Sequence, residues 1–220
     1  MTVNSRKGTS RKKYEINNKD FSDLFLQGIN ELPQFSALWF SRDGDMGMHF
    51  FGYKNVTEIL LKWFFEPNDD NGTVYPLIFL LRHTVEIGLK ESIRRATEIG
   101  SKKISLTEKE QNTVWKTHNL GMLTDLFNKV MEEYNISNSE NWNKIVPYLQ
   151  KWQAADPNAT FGKYAVSTNG TPFNVKGNVY AEKLVAIGMD AIDFLEGVLA
   201  MLEEHQKIKG EIYHELRGDY

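Results

Sequence analysis

The segment TVYPLIFLLRHTVEIGLKESIRRATEI, residues 73 to 99, constrains the fold more than any other part of the chain. Thr73 is placed to cap a helix, and Pro76 falls in its first turn, where a missing N–H costs nothing. On a helical projection Leu77, Ile78, Leu80, Leu81, Val85, Ile87 and Leu89 spread over about 200°. A sector that wide is buried on two sides, so this helix is expected at the centre of a bundle. The rest of its perimeter carries one polar ridge, Arg82, Glu86, Lys90 and His83, with Phe79 among them.

The neighbouring patterns are helical as well. Phe21, Leu24, Phe25, Ile29, Leu32, Phe35 and Leu38 recur at three- and four-residue steps behind a capping Asp20, with Pro33 bending the element. SRDGDMGMH reads as a loop, because two glycines and two aspartates disfavour helix. A helix over about 50–65 follows, stopped at EPNDDNG. Capping boxes at Thr107/Glu110 and Ser137/Glu140 mark later starts. The helix between them uses Leu120, Leu123, Leu126 or Phe127, and Val130; the one after Ser137 uses Trp142, Ile145, Leu149 and Trp152 despite Pro147. A last helix over about 179–207 places Leu184, Ile187, Ala191, Leu195, Val198 and Leu202 on one side. Only TFGKYAV, inside the irregular stretch 156–178, suggests a short strand. The expected fold is therefore an all-α bundle of five to seven helices, with an irregular or β-like insertion near 156–178.

Composition excludes several functions. The 220 residues contain no cysteine, which removes disulfides, thiolate nucleophiles and zinc–thiolate sites and fits a cytoplasmic location. The basic start is followed by YEINNKD rather than an apolar segment, so no signal peptide is expected, and no apolar run approaches the roughly 20 residues that span a bilayer. Five cations lie in residues 1–13, read as a disordered basic tail, and a single helical domain is expected over 14–220. The overall charge is -3, so removing the tail's +5 leaves the body at -8. Such a body is no general polyanion binder, and any nucleic-acid contact would come from the tail or a local patch. No HExxH, GxGxxG or Walker pattern occurs, and His205 and His214 lie among glutamates as a solvated charged end; neither a metal nor a cofactor is expected.

The ridge has two readings. In one it is a solvent face, with Arg82/Glu86 and Glu86/Lys90 as i, i+4 ion pairs. In the other it lies in a groove between helices, where the pairs lock His83 and aim the cations at an anionic ligand.

Taken together, the Arg82-His83-x-x-Glu86 helix with Lys90, the His118-Asn119-Leu120 helix start and the Asp156-Pro157…Phe161-Gly162-Lys163-Tyr164 segment resemble HEPN-type proteins of bacteria and phages. Those are helical bundles found in toxin, abortive-infection and other defence proteins. The resemblance implies a HEPN-like bundle, RNA as ligand, a homodimer, and a partner protein of a conflict system. Active members are metal-independent ribonucleases with an Arg followed, after four to six intervening residues, by a His. Arg82 and His83 are adjacent and depart from that spacing, whereas Arg42 and His49, with six residues between them, keep it as a rival motif. Lys163 stands where related sequences carry Arg, and so keeps the charge without the bidentate fork.

The chemistry still has its parts. Cleavage of RNA by its 2′-OH needs a base, an acid and a cation for the developing charge. His83 and His118 are candidates for the first two, and Arg82 or Lys163 for the third. Glu86, Lys90, Asn119, Asp156 and Tyr164 are candidate supporting residues. Bland alternatives stand beside them: His118 at a helix start capped by Thr117 or Asn119, Asp156 as a turn residue, and the whole ridge as the structural tie of a non-catalytic interaction protein.

Overall fold

The computed structural model describes residues 46–65, 71–100, 106–164, 170 and 181–217. The basic tail, the 20–38 pattern, Arg42 and most of 165–178 lie outside them. The described residues, all from the unit that spans Arg42–Tyr220, form six α-helices: α1 (Met46–Phe64), α2 (Val74–Ile99), α3 (Glu108–Lys116), α4 (Leu120–Met131), α5 (Glu140–Ala155) and α6 (Ala181–Arg217). No strand occurs among them; an isolated bridge from Phe161 to Tyr164 stands where a strand was expected. The molecule is an all-α bundle. None of the described helices is long and apolar enough to cross a membrane.

The wide apolar sector of α2 has the expected consequence. α2 packs against α1, α4 and α6, and every residue from Val85 to Ile93 is buried. α6 runs parallel to it, with Gly188 against Leu81, Gly88 against Leu195, and the Lys209 ammonium donating to the Ile99 carbonyl at 2.7 Å. α1 runs antiparallel, with Phe50 against Gly88 and Thr57 3.4 Å from Thr84. A Cβ at Gly88 would lie 2.7 Å from the Phe50 ring and 2.9 Å from Leu195, so this close three-helix contact requires glycine. Next to Leu195 on α6, Phe194 is stacked on Trp142 of α5 at 5.2 Å, and Trp142 leans on Phe127 of α4 at 4.5 Å, pairs that contribute about 0.5–1.5 kcal/mol each beyond area burial.

Several boundaries differ from expectation, each for a local reason. α1 takes in Met46 to His49, because buried Gly47 and core-packed Met46 outweigh the roughly 1 kcal/mol helix penalty of glycine. Thr73 has helical backbone in a 3₁₀ turn, Asn71–Thr73, and its side chain makes no capping hydrogen bond. The Thr107/Glu110 capping box forms in full. The second box does not: the chain turns through 137–138, and Ser139 caps α5 by accepting from the Trp142 N–H at 3.3 Å. α6 continues to Arg217, ten residues beyond the expected end, although residues 203–216 are all exposed.

Candidate functional site

The polar ridge of α2 is buried on the side of the α3–α4 connection and the end of α5. Arg82 is 2% exposed, Glu86 3% and Lys90 5%. Burying such charges is costly unless each finds a partner. Lys90 Nζ donates to Glu86 Oε1 at 2.9 Å, and the same oxygen lies 2.8 Å from His118 Nδ1. Burial pushes the Glu86 carboxyl up, but the hydrogen bonds and charges of Lys90 and His118 outweigh it and hold the group below the usual carboxylate range. An ionised carboxylate only accepts, so Nδ1 of His118 carries the proton on that side. In the neutral ring Nε2 is then the lone-pair nitrogen, on a side chain that is 58% exposed.

His118 is fixed from several directions. Arg82 Nη2 donates to its carbonyl at 3.0 Å. The next residue, Asn119, caps α4 by accepting from the Met122 N–H at 2.9 Å, and Thr117 Oγ1 accepts from the Asn119 N–H at 3.1 Å. Gln153, which the sequence reading passed over, is the hub. Its Oε1 accepts from the Leu120 N–H at 2.7 Å and from Arg82 Nη2 at 3.3 Å, while its Nε2 donates to the Pro157 carbonyl at 3.0 Å. Its one available signal was position, since it flanks the buried Leu149 and Trp152 on α5. The expected Arg82/Glu86 pair is replaced: Glu86 goes to Lys90 and His118, and Arg82 turns toward Asp156, with Nε 3.5 Å from Oδ2. That contact is a charge pair without hydrogen-bond geometry; Arg82 Nε and Nη1 and Asp156 Oδ2 have no hydrogen-bond partner.

Asp156 is both a turn residue and a partner of the ridge. Its Oδ1 accepts from the Thr160 and Phe161 N–H groups at 2.9 and 3.2 Å, which shapes the loop that carries Lys163 and Tyr164. Gly162 seats that loop on α2. At φ +87 it adopts backbone that side chains disfavour, and a Cβ there would meet the Tyr75 carbonyl at 2.7 Å and Phe79 at 3.1 Å. Lys163 Nζ then lies 4.9 Å from the centre of the Phe79 ring.

His83 is only half-buried. Its ring stacks on Phe79 at 5.3 Å and meets Tyr53 edge-on at 4.6 Å. Burial pushes its pKa down; Glu86 opposes this, and the charges of Lys163, His118 and Lys90 add to it. The imidazole is therefore neutral at neutral pH.

The structure thus brings Arg82, Glu86, Lys90, His118 and Asp156 into direct contact, and joins His83 to Lys163 through Phe79. Arg82 contacts protein atoms from within the core, so it acts on the site through His118. His49 is exposed on the first turn of α1, in a helix rather than the expected loop, and its partner Arg42 lies outside the described residues. Among the described residues no cluster of three or more metal-ligating side chains occurs. Compared with the models of known families, with curated proteins and with solved structures, the chain matches none of them.

Proposed function

We propose that this chain is a HEPN-like protein of a bacterial or phage conflict system that binds and cleaves RNA without a metal, and that His118 carries the proton transfer. The observation that supports this most is the dyad: an exposed imidazole whose Nδ1 lies 2.8 Å from a carboxylate with 4% side-chain exposure. A buried carboxylate that fixes the tautomer and orientation of a solvent-facing histidine is the arrangement general acid–base catalysis uses. In the proposed reaction His118 Nε2 takes the 2′-OH proton as the O2′–P bond forms. The P–O5′ bond breaks, and the leaving 5′-oxygen takes a proton from water. Lys163 faces the developing negative charge. The products are a 2′,3′-cyclic phosphate and a 5′-hydroxyl. RNA, a second copy of the chain and a partner protein of the same system are the interactions this reading carries.

A second reading is favoured by the burial of Arg82, Glu86 and Lys90, which tie α2 to the starts of α4 and the 156–164 loop: the network holds a non-catalytic interaction module together. One assay separates the two. Wild-type protein should cleave single-stranded RNA in the presence of a chelator, fail on the same strand made wholly of 2′-deoxynucleotides, and lose about 10²- to 10⁴-fold in rate as His118→Ala. Loss with His49→Ala and not with His118→Ala would move the site to the rival motif. No cleavage by the wild type would leave the interaction module.

A further inference from the structure

Resting on the RNA reading above, we propose that the 160–164 loop and the first turns of α2 form a shelf on which an unpaired RNA base stacks beside the histidines. The shelf has two open aromatic faces. Tyr164 is 63% exposed and Tyr75 54%, far more than burial in a helical core would leave. Tyr75 is braced edge-on by Phe161 at 6.1 Å. The loop that carries Tyr164 is fixed at three points: the Asp156 carboxylate on the Thr160 and Phe161 N–H groups, Gly162 seated on Tyr75 and Phe79, and Lys163 over the Phe79 ring. From Phe79 the aromatic run continues into His83.

A cation over the Phe79 ring and next in sequence to an exposed tyrosine, on a loop held from below, matches the chemistry of a nucleotide: phosphate on Lys163, base on tyrosine. Bases in a duplex have both faces covered by their neighbours, so such a shelf selects single strands, loops or bulges. Every base has a π-face, so it selects little among sequences. The commitment is to single-stranded RNA; a protein ligand for the same tyrosines is an outcome that would overturn it.

The test measures binding by the full chain of a short single-stranded RNA bearing 2′-O-methyl groups, which 2′-OH attack cannot cleave, and of the same strand in a duplex. Tyr164→Ala and Tyr75→Ala should weaken single-strand binding by about fivefold to a hundredfold each, with Tyr164→Phe near wild type and duplex binding unmoved. Lys163→Met should lower the slope of log K against log salt by about 0.7, while the tyrosine variants leave it unchanged. Wild-type affinity in both alanine variants, equal losses on single strand and duplex, or no RNA binding by the wild type would overturn the shelf. Loss of single-strand binding in the tyrosine variants of a protein that never cleaves RNA would support the shelf and remove only the catalytic reading.

Discussion

Two ionic clusters sit one above the other on α2, and they differ in what they leave over. In the upper one Glu91, fully buried, accepts from Arg94 Nε and Nη2 at 2.8 Å each and from Arg95 Nε at 2.7 Å, while Arg94 Nη1 donates to Glu98 at 2.6 and 2.8 Å. Charge is matched on the helix itself, and the cluster is closed. In the lower one only Glu86 and Lys90 pair within the helix; Arg82 turns instead to His118, Gln153 and Asp156, which come from other elements, and Arg82 and Asp156 keep unbonded atoms. It also presents a half-exposed imidazole to solvent. Spacing at i+3 and i+4 is shared by both clusters, so spacing alone does not distinguish a tie from a site. What distinguishes them is whether hydrogen-bonding capacity is used up.

The largest effect is expected in the closed cluster. Glu91→Ala strips two arginines of their buried carboxylate and should cost about 3–5 kcal/mol in denaturant unfolding, while RNA cleavage by the folded fraction is unchanged. A loss below about 1 kcal/mol would mean that solvent replaces the carboxylate and that the two clusters are alike.

Glu86→Gln comes next, at about 2–3 kcal/mol, because Lys90 keeps an uncharged acceptor. The depressed Glu86 pKa gives this loss a pH signature. A carboxylate whose folded pKa lies below its unfolded value stabilises above the unfolded value near 4.5, and that contribution disappears as pH falls through the folded pKa. The gap between wild type and variant should therefore narrow below pH 4.5; a gap constant down to acid unfolding would place the effect in packing instead.

His83→Ala removes the ring between Phe79 and Tyr53 and should cost about 1 kcal/mol. Its lowered pKa also carries a sign. The unfolded chain binds the proton first, so stability is full above 6.5 and falls as pH drops from there toward the lower folded pKa. The variant should lose that slope between pH 6.5 and the folded value, and an unchanged slope would assign it to another histidine.

The smallest effect lies away from both clusters. Thr107→Ala breaks the capping box of α3 and should cost about 1 kcal/mol in thermal melts without touching RNA binding.

How much of this was legible in the sequence follows the same division. The apolar positions of α2, α5 and α6 were readable because burial imposes a helical period on them, and Leu195, Val198 and Leu202 lie in the core as expected. The extension of α6 beyond Lys207 was not, because residues 203–216 are all exposed and Ile208, Ile212 and Leu216 recur at four-residue steps without reaching the core. Ser139 lost to Ser137 on paper because the sequence offers Glu140 as a box partner, while the fold sets the first turn by burying Trp142. In the site, the ridge and its burial were legible from the width of the apolar sector. Its meeting with His118 and Asp156 is a tertiary fact 36 and 74 positions away along the chain, outside any local period. Gln153 offered only its position beside a buried stripe, where a glutamine is ordinarily solvated.

The central claim is that Glu86 acts through His118, and a double-mutant cycle on RNA cleavage tests it most directly. Single-turnover rates of wild type, Glu86→Gln, His118→Ala and the double variant are compared under conditions where all four are folded. The account predicts that Glu86→Gln slows the wild type and has no further effect once His118 is alanine. An equal slowing in both backgrounds, or a His118→Ala variant as fast as the wild type, would contradict it.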